Sequence, residues 1–133
     1  MQIPPTPESR PLRCPCLSGN PYAECCGRFH RREAAAPTAE ALMRSRYAAF
    51  AVGDAAYLLA TWHPRTQPET FALDDELRWT RLEIERTVAG GPFDTEGVVE
   101  FTAYCRDRGT PSTQHEVSRF VKIDRRWVYL DAV

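Results

Sequence analysis

Four cysteines fall within thirteen residues, Cys14-Pro15-Cys16 and then Cys25-Cys26, with His30 just beyond. Thiolates in two close pairs are ligands for a soft or borderline divalent ion. Zinc, with no geometric preference of its own, suits a tetrahedron of sulfur better than magnesium, calcium or manganese do. A segment this short cannot bury enough apolar surface to offset its ordering entropy, so it needs a bound ion or disulfides to hold a shape. Four protein ligands close the coordination shell, and a closed site stabilises a fold rather than activating water. The expectation is one structural zinc ion.

Between the pairs, Ser18-Gly19-Asn20-Pro21 is a turn-forming run that reverses the chain, with Gly19 free to take a positive φ. Arg13, Arg28, Arg31 and Arg32 lie close in sequence and offset the formal charge of about −2 on a four-thiolate zinc. Disulfides are the alternative. Cys14 and Cys16 are too close to bridge comfortably, and Cys25 with Cys26 would close a strained ring, which leaves only bridges between the pairs. The first residues, Met-Gln-Ile-Pro-Pro-Thr-Pro-Glu-Ser, lack the basic start and apolar run of a secretory signal, so a reducing cytosol is the expected compartment. Cys105, alone in a strand-like run, reads as a small buried hydrophobe.

The order Cys-x-Cys-x-Ser-Gly followed by Cys-Cys resembles the SEC-C zinc-binding motif, known from the C-terminal tail of the SecA translocation ATPase. The resemblance implies Cys14, Cys16, Cys25 and Cys26 as ligands. Many members carry histidine where Cys26 stands, so His30 is the alternative fourth ligand. Leu17 departs from the motif, which usually has glycine there. SEC-C knuckles elsewhere resemble docking elements, in SecA towards the SecB chaperone.

The chain of 133 residues is long enough for one domain beside the knuckle, with 43% hydrophobic and 26% charged residues and no apolar run of transmembrane length. A formal net charge of −1 predicts no strong global attraction to nucleic acid or anionic lipid. Residues 1–50 carry seven Arg against four Glu, whereas residues 51–133 carry ten basic against fourteen acidic side chains. Any polyanion contact therefore belongs to the knuckle end, and direct nucleic-acid binding is expected to be weak.

Residues 1–12, rich in proline, form an extended or disordered tail, 13–33 the knuckle and 34–133 the main domain. Thr38 reads as the N-cap of a helix running to about Val52, ended by Gly53. Asp54 caps a second helix with Tyr57, Leu58, Leu59 and Trp62 on its apolar side, stopped by His63-Pro64. After a polar loop at 65–76, four runs are strand-like: Thr80–Val88, Gly97–Arg106, Thr113–Ile123 and Arg126–Asp131.

Advancing the first helix by 100° per residue places Ala39, Leu42, Met43, Tyr47 and Phe50 on one stripe, with Arg46 inside it and Arg44 on the opposite, solvated face. A guanidinium facing a core needs a partner, and Glu116, Ser118 and Asp131 are the candidates. The last two runs form a hairpin about Asp124-Arg125, and counting outward sets Phe120 opposite Tyr129, Lys122 opposite Trp127 and Ser118 opposite Asp131. Apolar residues on both faces require covering on both sides, by helices on one and by a partner or the knuckle on the other.

Ala36-Pro37-Thr38-Ala39-Glu40-Ala41-Leu42-Met43-Arg44-Ser45-Arg46-Tyr47, Thr61-Trp62-His63-Pro64, Val99-Glu100-Phe101, His115-Glu116-x-Ser118-x-Phe120 and Trp127-x-Tyr129-x-Asp131 resemble the bacterial YchJ family over nearly the whole chain. The resemblance implies an α+β fold, with helices packed on a curved antiparallel sheet in the cystatin-like or nuclear-transport-factor-2-like cone. It implies no specific activity. Some relatives carry a second knuckle after the cone; this sequence shows none up to Val133.

Two functions follow as expectations. The first is a cytosolic docking module whose zinc knuckle meets a protein or ribonucleoprotein partner, with a homodimer open through the convex face. The alternative is a small-ligand binder, or an enzyme of the isomerase or dehydratase type, using the cone cavity with Arg46, Tyr104, His115 and Asp131. No nucleophile-base-orienter arrangement supports catalysis, so docking is favoured.

Overall fold

A computed structural model of the chain describes residues 12–133. The expected tail lies outside the described residues except for Leu12, whose carbonyl accepts a hydrogen bond from Tyr22 N at 2.7 Å. A 3-10 turn over Tyr22–Glu24 leads into helix α1, Cys26–His30; α2 spans Ala39–Val52 and α3 Ala55–Ala60. Four strands follow: β1 Leu77–Ala89, β2 Glu96–Asp107, β3 Thr110–Ile123 and β4 Arg126–Ala132. They form one antiparallel sheet in sequence order.

The helix boundaries follow from their caps. Thr38 Oγ1 accepts from Ala41 N at 3.0 Å, and Gly53 closes α2 at φ 83°, a left-handed position that glycine takes without strain. Asp54 Oδ1 accepts from Tyr57 N at 3.0 Å and starts α3. That helix stops at Ala60, short of the expected His63-Pro64. Thr61 Oγ1 donates back to the Tyr57 carbonyl at 2.8 Å. The next residues are drawn onto β4, with Tyr129 N donating to Thr61 O and His63 N to Tyr129 O, both at 2.8 Å.

Strand alternation sets the two faces of the sheet. Val99, Phe101, Ala103 and Cys105 of β2 and Ser118 and Phe120 of β3 are buried. The intervening residues, among them Glu100, Thr102, Tyr104, His115 and Arg119, face outward. Register shifts at Trp79/Arg81, Ile84/Arg86 and Arg119/Phe120 bend the sheet around α2. The last shift corrects the expected pairing. Phe120 opposes Tyr129 and Lys122 opposes Trp127 as counted, but Asp131 slips opposite Arg119 and Ser118 opposes Ala132.

The core lies between α2 and the inner face, where Leu42, Leu58, Val99 and Phe120 are fully buried; each such side chain contributes about 1.5–3 kcal/mol. One end of α2 is held by close backbone approach. Ala39 N donates to Gly90 O at 2.9 Å, and a methyl on Gly97 would stand 2.5 Å from Gly90 Cα and 3.1 Å from Ala39 Cβ.

The knuckle does not cover the outer face of the sheet, one of the two coverings the sequence leads one to expect there. It packs on the side of α2 where Ser45 and Ala48 are fully buried, and Ala48 joins Cys14, Cys16 and Cys26 in one cluster. The helix is thus sandwiched between knuckle and sheet, which explains why it is buried well beyond the single stripe. The outer face carries ion pairs instead: Arg86 with Glu100, Arg119 with Asp131, and Arg81 with Glu83.

Candidate metal centre

The chain before α1 is a loop closed on itself. Cys14 N donates to Asn20 O at 2.9 Å, Leu17 N to Cys14 O at 3.1 Å and Cys25 N to Tyr22 O at 3.0 Å, while Gly19 takes φ 87° at the reversal. This folding brings the sulfurs of Cys14, Cys16, Cys25 and Cys26 within 4.8 Å of one another. Cys16 Sγ and Cys25 Sγ are 3.6 Å apart, and all five cysteines of the chain are free. A tetrahedral ion with metal–sulfur bonds of about 2.3 Å needs sulfurs separated by about 3.8 Å, so the four side chains fit a thiolate-bound metal.

Without a cation between them, the sulfurs ionise at one another's expense. Hydrogen bonding with Cys16 pushes the Cys14 thiol up to about 11, whereas hydrogen bonds with Cys14 and then Cys26 pull Cys16 far below the thiol range. Cys26, engaged by Cys14 and Cys16 and buried, is pushed far above it. Sulfurs this close ionise together only around a cation. Ser18 Oγ lies 3.2 Å from Cys25 Sγ, supplying a neighbouring hydroxyl to the most accessible of the four.

His30 stands outside the cluster. Its Nδ1 meets Tyr22 OH at 2.5 Å and its Nε2 meets Ser45 O at 2.8 Å, so both ring nitrogens are engaged and the imidazole clamps the knuckle to α2. Arg44 makes a second clamp. Expected to be solvated, it is half-buried, paired with Glu40 at 3.0 Å and donating from Nη1 to Cys16 O at 3.1 Å. Neither clamp is evident from sequence spacing alone. The available signal was the small residues Ser45, Ala48 and Ala49, which mark a second face of α2 open to close packing.

The groups considered for the cone do not converge. Arg46 is 4% exposed and lines a cavity under α2. No acidic group pairs with it among the described residues; Nη1 donates instead to Leu58 O at 2.8 Å and Thr61 Oγ1 at 2.7 Å, and the guanidinium lies against the rings of Trp62 and Tyr129. The early stop of α3 leaves those two acceptors free to receive it. His115, at the cavity rim, has its Nε2 bonded to Glu100 at 2.7 Å on the outer face, with Glu85 at 3.5 Å. Tyr104 donates to Glu83 at 3.0 Å and Asp131 pairs with Arg119, both outside the cavity.

Known proteins share both parts of this architecture. The model for the middle, NTF2-like domain of YchJ matches residues 38–132, and the SEC-C motif model matches residues 10–28. A UPF0225 protein of Streptomyces coelicolor is 56% identical over 118 residues, 89% of this chain and 92% of that protein. One of Deinococcus radiodurans is 52% identical over 121 residues, covering 90% and 87%. The solution structure of a SEC-C motif containing protein from Rhodopseudomonas palustris superposes with a TM-score of 0.79 at 34% identity, over 92% of this chain and 98% of that one. A crystal structure of a SEC-C motif containing protein from Psychrobacter arcticus gives 0.76 at 28%, over 90% and 81%. Cone and cysteine loop together place this chain in the UPF0225 family, as an α+β protein of YchJ type with a SEC-C motif ahead of its NTF2-like domain.

Proposed function

We propose that the protein is a zinc-stabilised docking module of the reducing cytosol, whose knuckle meets a protein or ribonucleoprotein partner while the cone serves as its rigid base. Cys14, Cys16, Cys25 and Cys26 hold the ion, and its four sulfur ligands leave no position for a substrate. The observation that carries the docking role is Leu17. It is 56% exposed and sits at φ 66°, a left-handed conformation that costs a side-chain-bearing residue about 1–2 kcal/mol. An apolar side chain kept in water at a strained position, between the ligands Cys16 and Cys25 in sequence, has the make-up of a contact residue. Arg28 and Arg32 extend the same basic end, and among the described residues neither forms an ion pair.

Affinity capture from a reducing lysate tests this, with the parent, Cys14→Ser/Cys16→Ser and Leu17→Gly as baits. Partners of the parent should be lost from the double variant and weakened several-fold with Leu17→Gly, which keeps every ligand. Identical partners on all three baits would overturn the docking role.

A further inference from the structure

Between α2 and the inner face of the sheet lies a cavity of about 400 Å³, within the size range of small-molecule sites. Its walls are mostly apolar and aromatic, with Tyr47, Phe50, Trp62, Phe71 and Trp79 prominent. The space opens past the exposed Gln114 and His115 and ends against a buried charge, so a solute can reach that charge from outside. The charge is Arg46. Only Nη1 is satisfied by the protein; Nε and Nη2 have no acceptor among the described residues, yet they are not sealed away as Trp62 Nε1 is. Burial lowers its pKa to about 10, which leaves it cationic at neutral pH.

We infer that this cavity binds a small monocarboxylate with an apolar, ring-sized body, its carboxylate on the free edge of Arg46 and its body among the aromatic walls. A guanidinium edge presents parallel N–H donors matched to two carboxylate oxygens. The remaining charges limit the ligand to one negative charge. Glu116 lines the same cavity, accepting from Ser118 Oγ at 2.5 Å and from Tyr129 OH at 3.5 Å, and Asp74 stands in the wall. A second negative charge on the ligand would face both carboxylates with no second Arg or Lys in the lining to meet it, which disfavours phosphates and dicarboxylates. The inference is independent of the docking role, because it uses no residue of the knuckle.

The test is an NMR titration of the metal-loaded full chain with phenylacetate, using phenylacetamide as the uncharged control. Saturable shifts are expected at the Arg46 Nε–H and at the indole N–H signals of Trp62 and Trp79. Trp127, whose Nε1 donates to Pro37 O at 3.2 Å away from the cavity, should not move. The amide should bind at least tenfold more weakly, and Arg46→Gln should lower phenylacetate affinity at least tenfold. If that variant does not fold, the acid-against-amide comparison on the parent decides alone. No saturable shift at about 10 mM phenylacetate, equal binding of acid and amide, or shifts confined to the outer face would overturn the proposal.

Discussion

Leu17 and Arg46 are the two residues whose positions most oppose their chemistry. Relieving the left-handed strain at Leu17 should outweigh the added chain entropy of glycine, so Leu17→Gly is expected to stabilise the protein by about 1 kcal/mol in thermal or denaturant unfolding. A destabilised variant would mean that the side chain packs rather than protrudes. The sequence marked Leu17 only as a departure from the glycine usual in the SEC-C motif; its left-handed backbone and its exposure come from the structure. Arg46 was legible only in part. Its place inside an apolar stripe announced its burial, but its acceptors, Leu58 O and Thr61 Oγ1, belong to a chain return that no helical period reveals.

At the scale of elements, the capping residues specify most of the helical structure. Thr38→Ala removes the bond to Ala41 N and should cost about 1 kcal/mol. An unchanged unfolding midpoint would show that the contact to Gly90 O alone anchors the start of α2. The hairpin between β3 and β4 offers the opposite change. Asp124 and Arg125 take φ 51° and 69°, the positive pair of a type I′ turn, so Asn-Gly in their place should stabilise by about 1 kcal/mol, read as a raised melting temperature. Alternation and turn chemistry foretold all four strands and the pairs nearest the turn. They could not foretell the shift beyond Phe120, because a bulge adds a residue without disturbing the local pattern. That single slip turned Asp131 away from Arg46 and onto Arg119.

For the whole molecule, the decisive arrangement is the knuckle on the back of α2. It was not readable from sequence because the bonds that fix it, His30 to Ser45 O and Arg44 to Cys16 O, join segments 15 and 28 residues apart through single side chains. Its consequence is that metal and cone share a boundary. Stripping the ion with a chelator should reduce amide-exchange protection across residues 13–30 at least about tenfold while β2 and β3 stay protected, since the sheet has its own core. Equal loss in the sheet would mean that the ion holds the entire fold.

The most direct measurement is the metal content of protein purified under reducing conditions, determined by elemental analysis on the parent and on Cys14→Ser/Cys16→Ser. One zinc per parent chain and none in the double variant is the predicted result. A parent that is folded and metal-free, or a double variant that retains its zinc, would contradict the account.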